Sequence, residues 1–270
     1  MLSLAPLVHA HGDIHLRIEK LDMEIARHPE DVALLVKRGR LHLDGMHAQQ
    51  AHDDFAKAKS LAPNRSEINY YLAQAELALK AFDPAAASVQ RFLDNARHDA
   101  ARVRGLLLQG DIRMAARRPV DAADSYLAAI RLSGDIKPEY YLKASGAYLV
   151  AGDIDESLKV LDRGISRLGP LTTLQEQALA IETSSNKYDD ALRRVDEMLA
   201  SNTGTPYLLY RKGLILKAMG RPQPSIQVFQ AALNELDKLP QTRKNTRAVE
   251  SLKAALLSEI RGSSNEKQPQ

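Results

Sequence analysis

The chain lacks cysteine and tryptophan, and only four of its 270 residues are phenylalanine. The absence of cysteine excludes disulfide bonds, thiolate metal ligands and cysteine nucleophiles. The scarcity of aromatic residues, beside abundant alanine and leucine, disfavours an aromatic-rich β-sandwich and favours helices that pack through small side chains. The composition therefore favours a helical fold over a β-sandwich.

The chain also lacks an excess of charge of one sign and a long hydrophobic run. Its 37 basic residues nearly balance its 34 acidic ones, which leaves a formal net charge of +3. This balance gives no strong electrostatic footprint for nucleic acid or an anionic membrane. No window approaches the roughly 18 consecutive apolar residues that a spanning helix needs. We therefore expect neither a nucleic-acid partner nor a membrane span.

Residues 1–12, "MLSLAPLVHAHG", leave two interpretations open. The run from Leu2 to Ala10 is mostly apolar, and its end resembles a small-x-small cleavage site. A complete secretory signal carries lysine or arginine before its apolar run, and no such residue precedes the run here. The segment is either the remnant of a signal peptide, which predicts a periplasmic or secreted protein, or the frayed end of a cytoplasmic one. The polar tail, residues 262–270, is predicted to be disordered.

An internal repeat underlies most of the sequence. Six aligned positions, most of them small residues, are separated by 34, 37, 35, 34 and 34 residues, and each is followed twelve residues later by Ala or Ser. Because six units share several offsets and not only a period, the signal is specific. The first anchors are Gly39, Ala73, Gly110, Ser145, Leu179 and Gly213, and the second are Ala51, Ala85, Ala122, Ser157, Ala191 and Ser225.

This pattern resembles the tetratricopeptide repeat, a helix–turn–helix unit of about 34 residues. The early Trp is absent from every unit, and only the first unit keeps the closing proline, Pro63. The resemblance implies a right-handed α-solenoid of six repeats over residues 32–239. We expect the units near residues 32–65, 66–102, 103–137, 138–171, 172–205 and 206–239.

The segments that flank the array are predicted to be capping helices. Residues 13–31 and 240–261 each carry one apolar stripe, which would cover the exposed apolar face of a terminal repeat. The stripes consist of Ile14, Ile18, Leu21 and Ile25 at one end and Val249, Leu252, Leu256 and Ile260 at the other.

The resemblance implies a non-enzymatic scaffold or assembly factor that binds a peptide or helix of another protein in a concave groove. The groove positions carried over from the family are Val36, Arg40, Leu43, Tyr70, Gln74, Leu77, Arg104, Leu107, Asp111, Met114, Leu142, Tyr207, Tyr210 and Leu214. One subfamily grips the terminal carboxylate of heat-shock chaperones with a Lys–Asn–Asn–Lys–Arg set. Here Val36, Arg40 and Tyr70 replace members of that set, so this partner class is disfavoured.

The histidine-rich stretch "LHLDGMHAQQAHDDF", residues 41–55, raises the question of a metal site. A convincing site needs three or four ligands at set spacings, and none is present here. We expect His42, His47 and His52 to be packing or surface residues, His42 and His52 to be able to approach each other, and Asp53 and Asp54 to face solvent. Metal binding by His9, His11 and His15 remains an alternative function, as does self-association.

No catalytic motif is found. The sequence contains no nucleophile elbow, phosphate loop, HExxH or dinucleotide fingerprint. Paired carboxylates such as Asp153 and Asp155 are typical of turns and helix N-caps. We therefore expect no enzymatic activity and no cofactor.

Overall fold

The computed structural model describes residues 5–201 and 205–265, and the side chains of residues 14–201 and 205–262. Within these ranges the chain is all-α, with no β-strand. The helices are α1 (Ala5–Arg27), α2 (Val32–Asp44), α3 (Ala48–Leu61), α4 (Glu67–Ala78), α5 (Phe82–Asp94), α6 (Asp99–Ala115), α7 (Pro119–Leu132), α8 (Pro138–Val150), α9 (Ile154–Leu168), α10 (Thr172–Ser184), α11 (Tyr188–Ala200), α12 (Thr205–Ala218), α13 (Pro222–Asp237), α14 (Gln241–Lys244) and α15 (Arg247–Asn265).

Two compact bodies make up the chain, residues 1–157 and residues 158–270. The first holds α1 to α8 and the start of α9, and the second holds the rest of α9 and α10 to α15. In the first body α2 contacts both α3 and α4, and α4 contacts both α5 and α6. Each helix pair therefore packs against the next, as the repeat pattern predicts.

Each predicted repeat corresponds to one helix pair, from α2–α3 to α12–α13. Two first helices begin earlier than the expected unit: α6 starts at Asp99 and α12 at Thr205. The helix at the N-terminal end starts at Ala5 and not at residue 13, and the C-terminal cap consists of the short α14 followed by α15. Asp31 caps the start of α2, because its side chain accepts hydrogen bonds from the backbone N–H groups of Ala33 and Leu34.

The first anchors allow a large side chain of the second helix to lie against the first helix. A Cβ added at Gly39 would lie 2.6 Å from Cε1 of Phe55, and one at Gly110 would lie 2.3 Å from Cε1 of Tyr126. Phe55 is fully buried, and its ring also stacks on Tyr71 of the next repeat. The aromatic residue sixteen positions after the anchor therefore packs within its own repeat as well as toward the next one.

Two of the six second anchors are serine, and the other four are alanine. In the fourth repeat the buried Ser157 hydroxyl donates to the carbonyl oxygen of Ser145, at 2.9 Å. In the sixth repeat the Ser225 hydroxyl donates to the carbonyl oxygen of Gly213, also at 2.9 Å. These bonds satisfy buried hydroxyls that would otherwise cost about 1–3 kcal/mol each.

A left-handed residue ends the first helix of every repeat, seven positions after the anchor. Gly152 and Gly220 hold this position in two repeats, with φ of 81° and 69°. Asn186 and three further non-glycine residues hold this position in the other four repeats, with φ between 58° and 62°. The next residue donates its N–H to a carbonyl five positions earlier, for example Asp153 to Tyr148, as in a Schellman turn. The three other residues are Met46, Lys80 and Arg117.

Candidate partner-binding surface

The fourteen predicted groove residues lie on the first helices of the repeats, and we call them the first-helix surface. In the first body they belong to α2, α4, α6 and α8, and in the second body to α12. Each of the fourteen side chains is partly or fully exposed to solvent. The apolar and aromatic members therefore remain accessible from outside the helix pairs.

Several members of the first-helix surface also pack against the core with part of their side chain. Val36 and Leu43 lie against the core of the first repeat, and Tyr70 and Leu77 lie against that of the second. Tyr70 is 5.2 Å from Phe92 between ring centroids, and burial raises the pKa of its phenol. These side chains are held in place from below and present their outer atoms to solvent.

A cleft of about 220 Å³ opens between α2 and α4 in the first body. Two predicted residues, Val36 and Arg40, line it. Its other lining residues were not predicted from the sequence, and they include Lys37, Arg65 and Tyr71. The guanidinium carbon of Arg40 lies 5.6 Å from the centroid of the Tyr71 ring, a cation–π arrangement. The cleft is thus basic at its rim and aromatic and aliphatic on its walls.

Ion pairs join successive first helices elsewhere in the first body. Arg104 of α6 donates to Glu67 of α4 at 3.0 Å, and its guanidinium carbon lies 5.1 Å from the Tyr70 ring centroid. Lys143 of α8 pairs with Asp111 of α6, which also accepts a hydrogen bond from the Tyr126 hydroxyl at 2.7 Å. Arg104 and Asp111, two predicted groove residues, are therefore occupied by neighbouring helices.

The second body presents a smaller set of predicted residues. Tyr207 is 47% exposed, whereas Tyr210 and Leu214 pack partly against the core that contains Phe229. Arg211 donates to the Tyr207 hydroxyl at 3.2 Å and pairs with Glu176 of α10 at 3.3 Å. The charged group beside these tyrosines is therefore already neutralised within the chain.

The expectation that Asp54 faces solvent is wrong. Its carboxylate is buried and accepts from Nε of Arg38 at 2.9 Å, while Nη1 of the same arginine pairs with Asp22 at 2.6 Å. The adjacent Asp53 is exposed, as predicted. Arg38 lies sixteen residues before Asp54, on the other helix of the pair. The sequence alone therefore did not indicate the charged partner that offsets the cost of burying this carboxylate.

The rings of His15, His42 and His47 lie near one another. The ring of His47 lies 5.8 Å from that of His42 and 5.9 Å from that of His15, between centroids. The observed neighbour of His42 is thus His47, where we expected His52. In the part of the chain that the structure describes, no group of three or more His, Asp or Glu side chains is arranged to hold a metal ion. The side chains of His9 and His11 lie outside the described residues.

The predicted structural role of Asp153 is confirmed: its carboxylate accepts from the backbone N–H of Glu156 at 3.0 Å and so caps the start of α9. The residues that the sequence did not reveal are Lys37, Arg65 and Tyr71. Lys37 and Tyr71 are each next in sequence to a predicted groove residue, Val36 or Tyr70. The repeat spacing did not indicate that Arg65, which precedes α4, lines the same cleft.

Comparisons with known proteins agree with this geometry. Residues 107–170 match the family model described as tetratricopeptide repeat, and no curated protein sequence matches the chain. A tetratricopeptide repeat protein from Parabacteroides merdae is 18% identical, with a TM-score of 0.53 and coverage of 91% of this chain and 93% of that one. The resemblance inferred from the register is confirmed by the tetratricopeptide repeat match over residues 107–170 and by the fold that the described residues share with this neighbour.

Two further solved structures share the fold. The chain covers 97% of a Pseudomonas aeruginosa pilF structure, with 83% of its own length, 13% identity and a TM-score of 0.50. It covers 39% of the matched chain in a structure of Naa15/Naa10 bound to HypK-THB, with 93% of its own length, 12% identity and a TM-score of 0.55. At these identities the likeness concerns the fold alone. Within the described residues, no helix has the length and apolar character to cross a membrane.

Proposed function

We propose that the chain is a non-enzymatic scaffold or assembly factor that binds a peptide or helix of a partner protein on the first-helix surface. Repeat arrays of this kind present extended binding surfaces between stacked helices. A preformed surface of this type costs little ordering of the scaffold on binding, which favours affinity.

The observation that carries this proposal is the exposure of apolar and aromatic side chains on the first helices. Tyr207 is 47% exposed, and Leu107, Met114 and Leu142 are each accessible in part. Tyrosine and methionine are well suited to protein interfaces, because they offer contact area together with adaptable packing or a polar tip. A surface built only for solvent would have fewer such groups.

The fold neighbours support a role in assemblies. The similar Naa15 and Naa10 structure is itself a complex bound to HypK-THB. We infer that the present chain likewise acts by holding another protein, while the identity of that protein is not encoded in the fold.

The experiment is affinity capture from an extract of the source organism, read by mass spectrometry. The full chain is compared with Arg40→Ala/Gln74→Ala in the first body and with Tyr207→Ala in the second. Tyr70 is left unchanged because it packs on Phe92, so its loss would also affect folding. The matched control, Gln50→Ala/Lys57→Ala, alters exposed residues of the second helix α3.

A protein retained by the wild type and the control, but lost with either surface variant, supports the proposal once the purified partner binds with the same dependence. Equal capture by all four chains contradicts it. Self-association and metal binding by His9, His11 and His15 would then be the remaining functions. The solution mass measured against concentration would test the first, and a zinc or copper titration would test the second.

For localisation we propose the periplasm or the exterior of the cell, because the apolar segment before residue 12 resembles the end of a signal peptide. Fractionation of the source organism, with detection by an antibody against the chain, tests this proposal. Recovery in the cytoplasmic fraction alone would overturn it.

A further inference from the structure

The cleft between α2 and α4 contains an unbalanced group of positive charges. Lys37, Arg40 and Arg65 line it together with a single acidic residue, Glu67. Glu67 is already paired with Arg104 of α6, at 3.0 Å. Among the described residues no carboxylate lies within ion-pair distance of the three other cations. The cleft therefore has three positive charges that the chain itself does not neutralise.

This imbalance departs from the rest of the first-helix surface and its surroundings. Arg104, Lys143 and Arg211 each pair with a carboxylate on a neighbouring first helix. Arg38, beside the cleft on α2, is held by two aspartates. Unpaired like charges in one place repel each other and are stabilised by an anionic ligand. Charge complementarity thus indicates what the cleft binds.

The walls of the cleft are apolar and fixed in position. Tyr71 stacks on the fully buried Phe55 at 5.4 Å between centroids, with the planes 21° apart. Val36 and Ile68 provide aliphatic surface beside it. Because the ring is held from below and Arg40 lies over it at 5.6 Å, the site is organised before any ligand arrives.

The size of the cleft favours a few side chains of a larger partner. Its volume of about 220 Å³ is below the roughly 300–1,000 Å³ of pockets that enclose small-molecule ligands. A guanidinium group binds a carboxylate through two parallel hydrogen bonds, and two arginines and a lysine line this cleft. Single-stranded nucleic acid, by contrast, needs a row of exposed rings for stacking, and Tyr71 is one ring already stacked on Phe55.

We propose that this cleft binds a carboxylate-rich segment of a partner protein, with Lys37, Arg40 and Arg65 holding acidic side chains and Tyr71 contacting an adjacent apolar one. This inference rests on the proposed function and names the chemistry of the partner in the first body. The site is not the chaperone clamp: it includes the clamp positions that hold Val36 and Arg40 here, but its other two cations, Lys37 and Arg65, were not among the predicted groove positions.

The test selects random short peptides on the full chain from a display library, in parallel with two charge-reversed variants. One variant carries Lys37→Glu, Arg40→Glu and Arg65→Glu. The control carries Lys20→Glu, Lys57→Glu and Arg131→Glu, three exposed residues away from the cleft, so both variants have the same net charge. Thermal melts followed by circular dichroism establish that all three chains are folded.

We expect peptides selected on the wild type to be enriched in Asp and Glu relative to the starting library. Their affinity should fall about tenfold or more with the cleft variant, remain near wild type with the control, and weaken as salt is added. Selected peptides without acidic enrichment, or with equal affinity for the cleft variant, would overturn the inference while leaving the proposed function intact.

Two other outcomes separate this inference from its alternatives. If no peptide is selected on the wild-type chain, peptide binding by the first-helix surface fails, and the inference fails with it. The second outcome is that a labelled single-stranded oligonucleotide binds the wild type but not the cleft variant, while the selected peptides show no acidic enrichment. In that case the cleft binds nucleic acid and the inference is wrong.

Discussion

Gly39 shows how one residue sets the distance between the helices of a repeat. The ring of Phe55 lies where a side chain at position 39 would begin, 2.6 Å from its Cβ position. We expect Gly39→Leu to lower the free energy of unfolding by roughly 1–3 kcal/mol, because the leucine side chain would overlap the fully buried ring. Urea denaturation followed by circular dichroism measures the change.

Gly146 provides the control for this substitution. It lies inside α8, and a Cβ there meets nothing within 4 Å. Gly146→Ala should therefore raise the free energy of unfolding by roughly 0.5–1 kcal/mol, since alanine is the better helix former. Equal stability of wild type and Gly39→Leu would contradict both the repeat register and the packing described for Phe55.

Ala122→Leu, at the fully buried second anchor of the third repeat, should also lower the free energy of unfolding, because it overpacks the contact between the two helices.

His42 makes the stability of the first body depend on pH. Burial lowers the pKa of His42 below its usual 6.5, although the carboxylate of Asp54 opposes the shift at 4.0 Å. Arg38 and His47 also face it and lower its pKa, and the more distant Asp22 acts in the opposite direction. The unfolded chain therefore takes up a proton near pH 6.5 that the folded chain does not, so the free energy of unfolding falls as the pH drops below that value.

This contribution is measured by urea denaturation between about pH 7.5 and pH 5. His42→Gln removes the titrating ring, so the variant should lose less stability over this range than the wild type. Above pH 7 the His42 ring is mostly neutral in the folded and in the unfolded chain. The stability of the wild type and that of His42→Gln should therefore depend on pH in the same way there. An identical loss of stability on acidification in both chains would rule out this role for His42.

The residue scale also shows what the sequence could and could not predict. The small residue Gly39 and the aromatic residue Phe55 have counterparts at the same offset in other repeats, so their packing was predictable from the pattern. Burial of Asp54 was not predictable, because it depends on Arg38, on another helix. The cleft likewise depends on Lys37 and Arg65, which no repeat offset connects.

At the scale of elements, the turn between the two helices of each repeat requires a left-handed residue. Glycine meets this requirement without strain at residues 152 and 220, whereas Met46, Lys80 and Arg117 adopt the same conformation with a side chain. The pairing of the helices from α2 to α13 was predictable from the period, whereas the starts of α1, α6 and α12 lie earlier than expected. The shared left-handed position was not evident from the sequence, because five different residue types hold it in the six repeats.

Arg117→Gly tests the cost of that conformation. A left-handed residue with a Cβ costs about 1–2 kcal/mol, and glycine loses about 0.5–1 kcal/mol more backbone entropy on folding. We therefore expect a net gain in the free energy of unfolding of roughly 0.5–1 kcal/mol. Gly220→Ala is the reverse change at the equivalent position, where a Cβ meets nothing within 4 Å, and should destabilise. A loss of stability in Arg117→Gly would show that its side chain contributes more than its conformation costs.

At the scale of the whole molecule, stability depends on covering the apolar faces of the terminal repeats. Within each body the helix pairs contact their neighbours, so the pair at either end of the array lacks one partner. At the N-terminal end, Ile18, Leu21 and Ile25 of α1 are buried against the first repeat. At the C-terminal end, α15 packs on α13. Both predicted stripes thus have the role that their periodicity indicated.

Leu256 is the fully buried residue of the α15 stripe, and it belongs to one apolar cluster with Phe229, Leu233 and Leu236. Leu256→Asp should lower the free energy of unfolding by at least the roughly 2–5 kcal/mol of a buried Leu→Ala change, since a carboxylate cannot remain in that apolar cluster. If α15 detaches, the exposed face should bind the dye ANS and promote aggregation. The matched control is Ser258→Asp, an exposed position on the same helix, which should remain close to wild type. Unchanged urea denaturation and dye binding in Leu256→Asp would mean that α15 is not required as a cap.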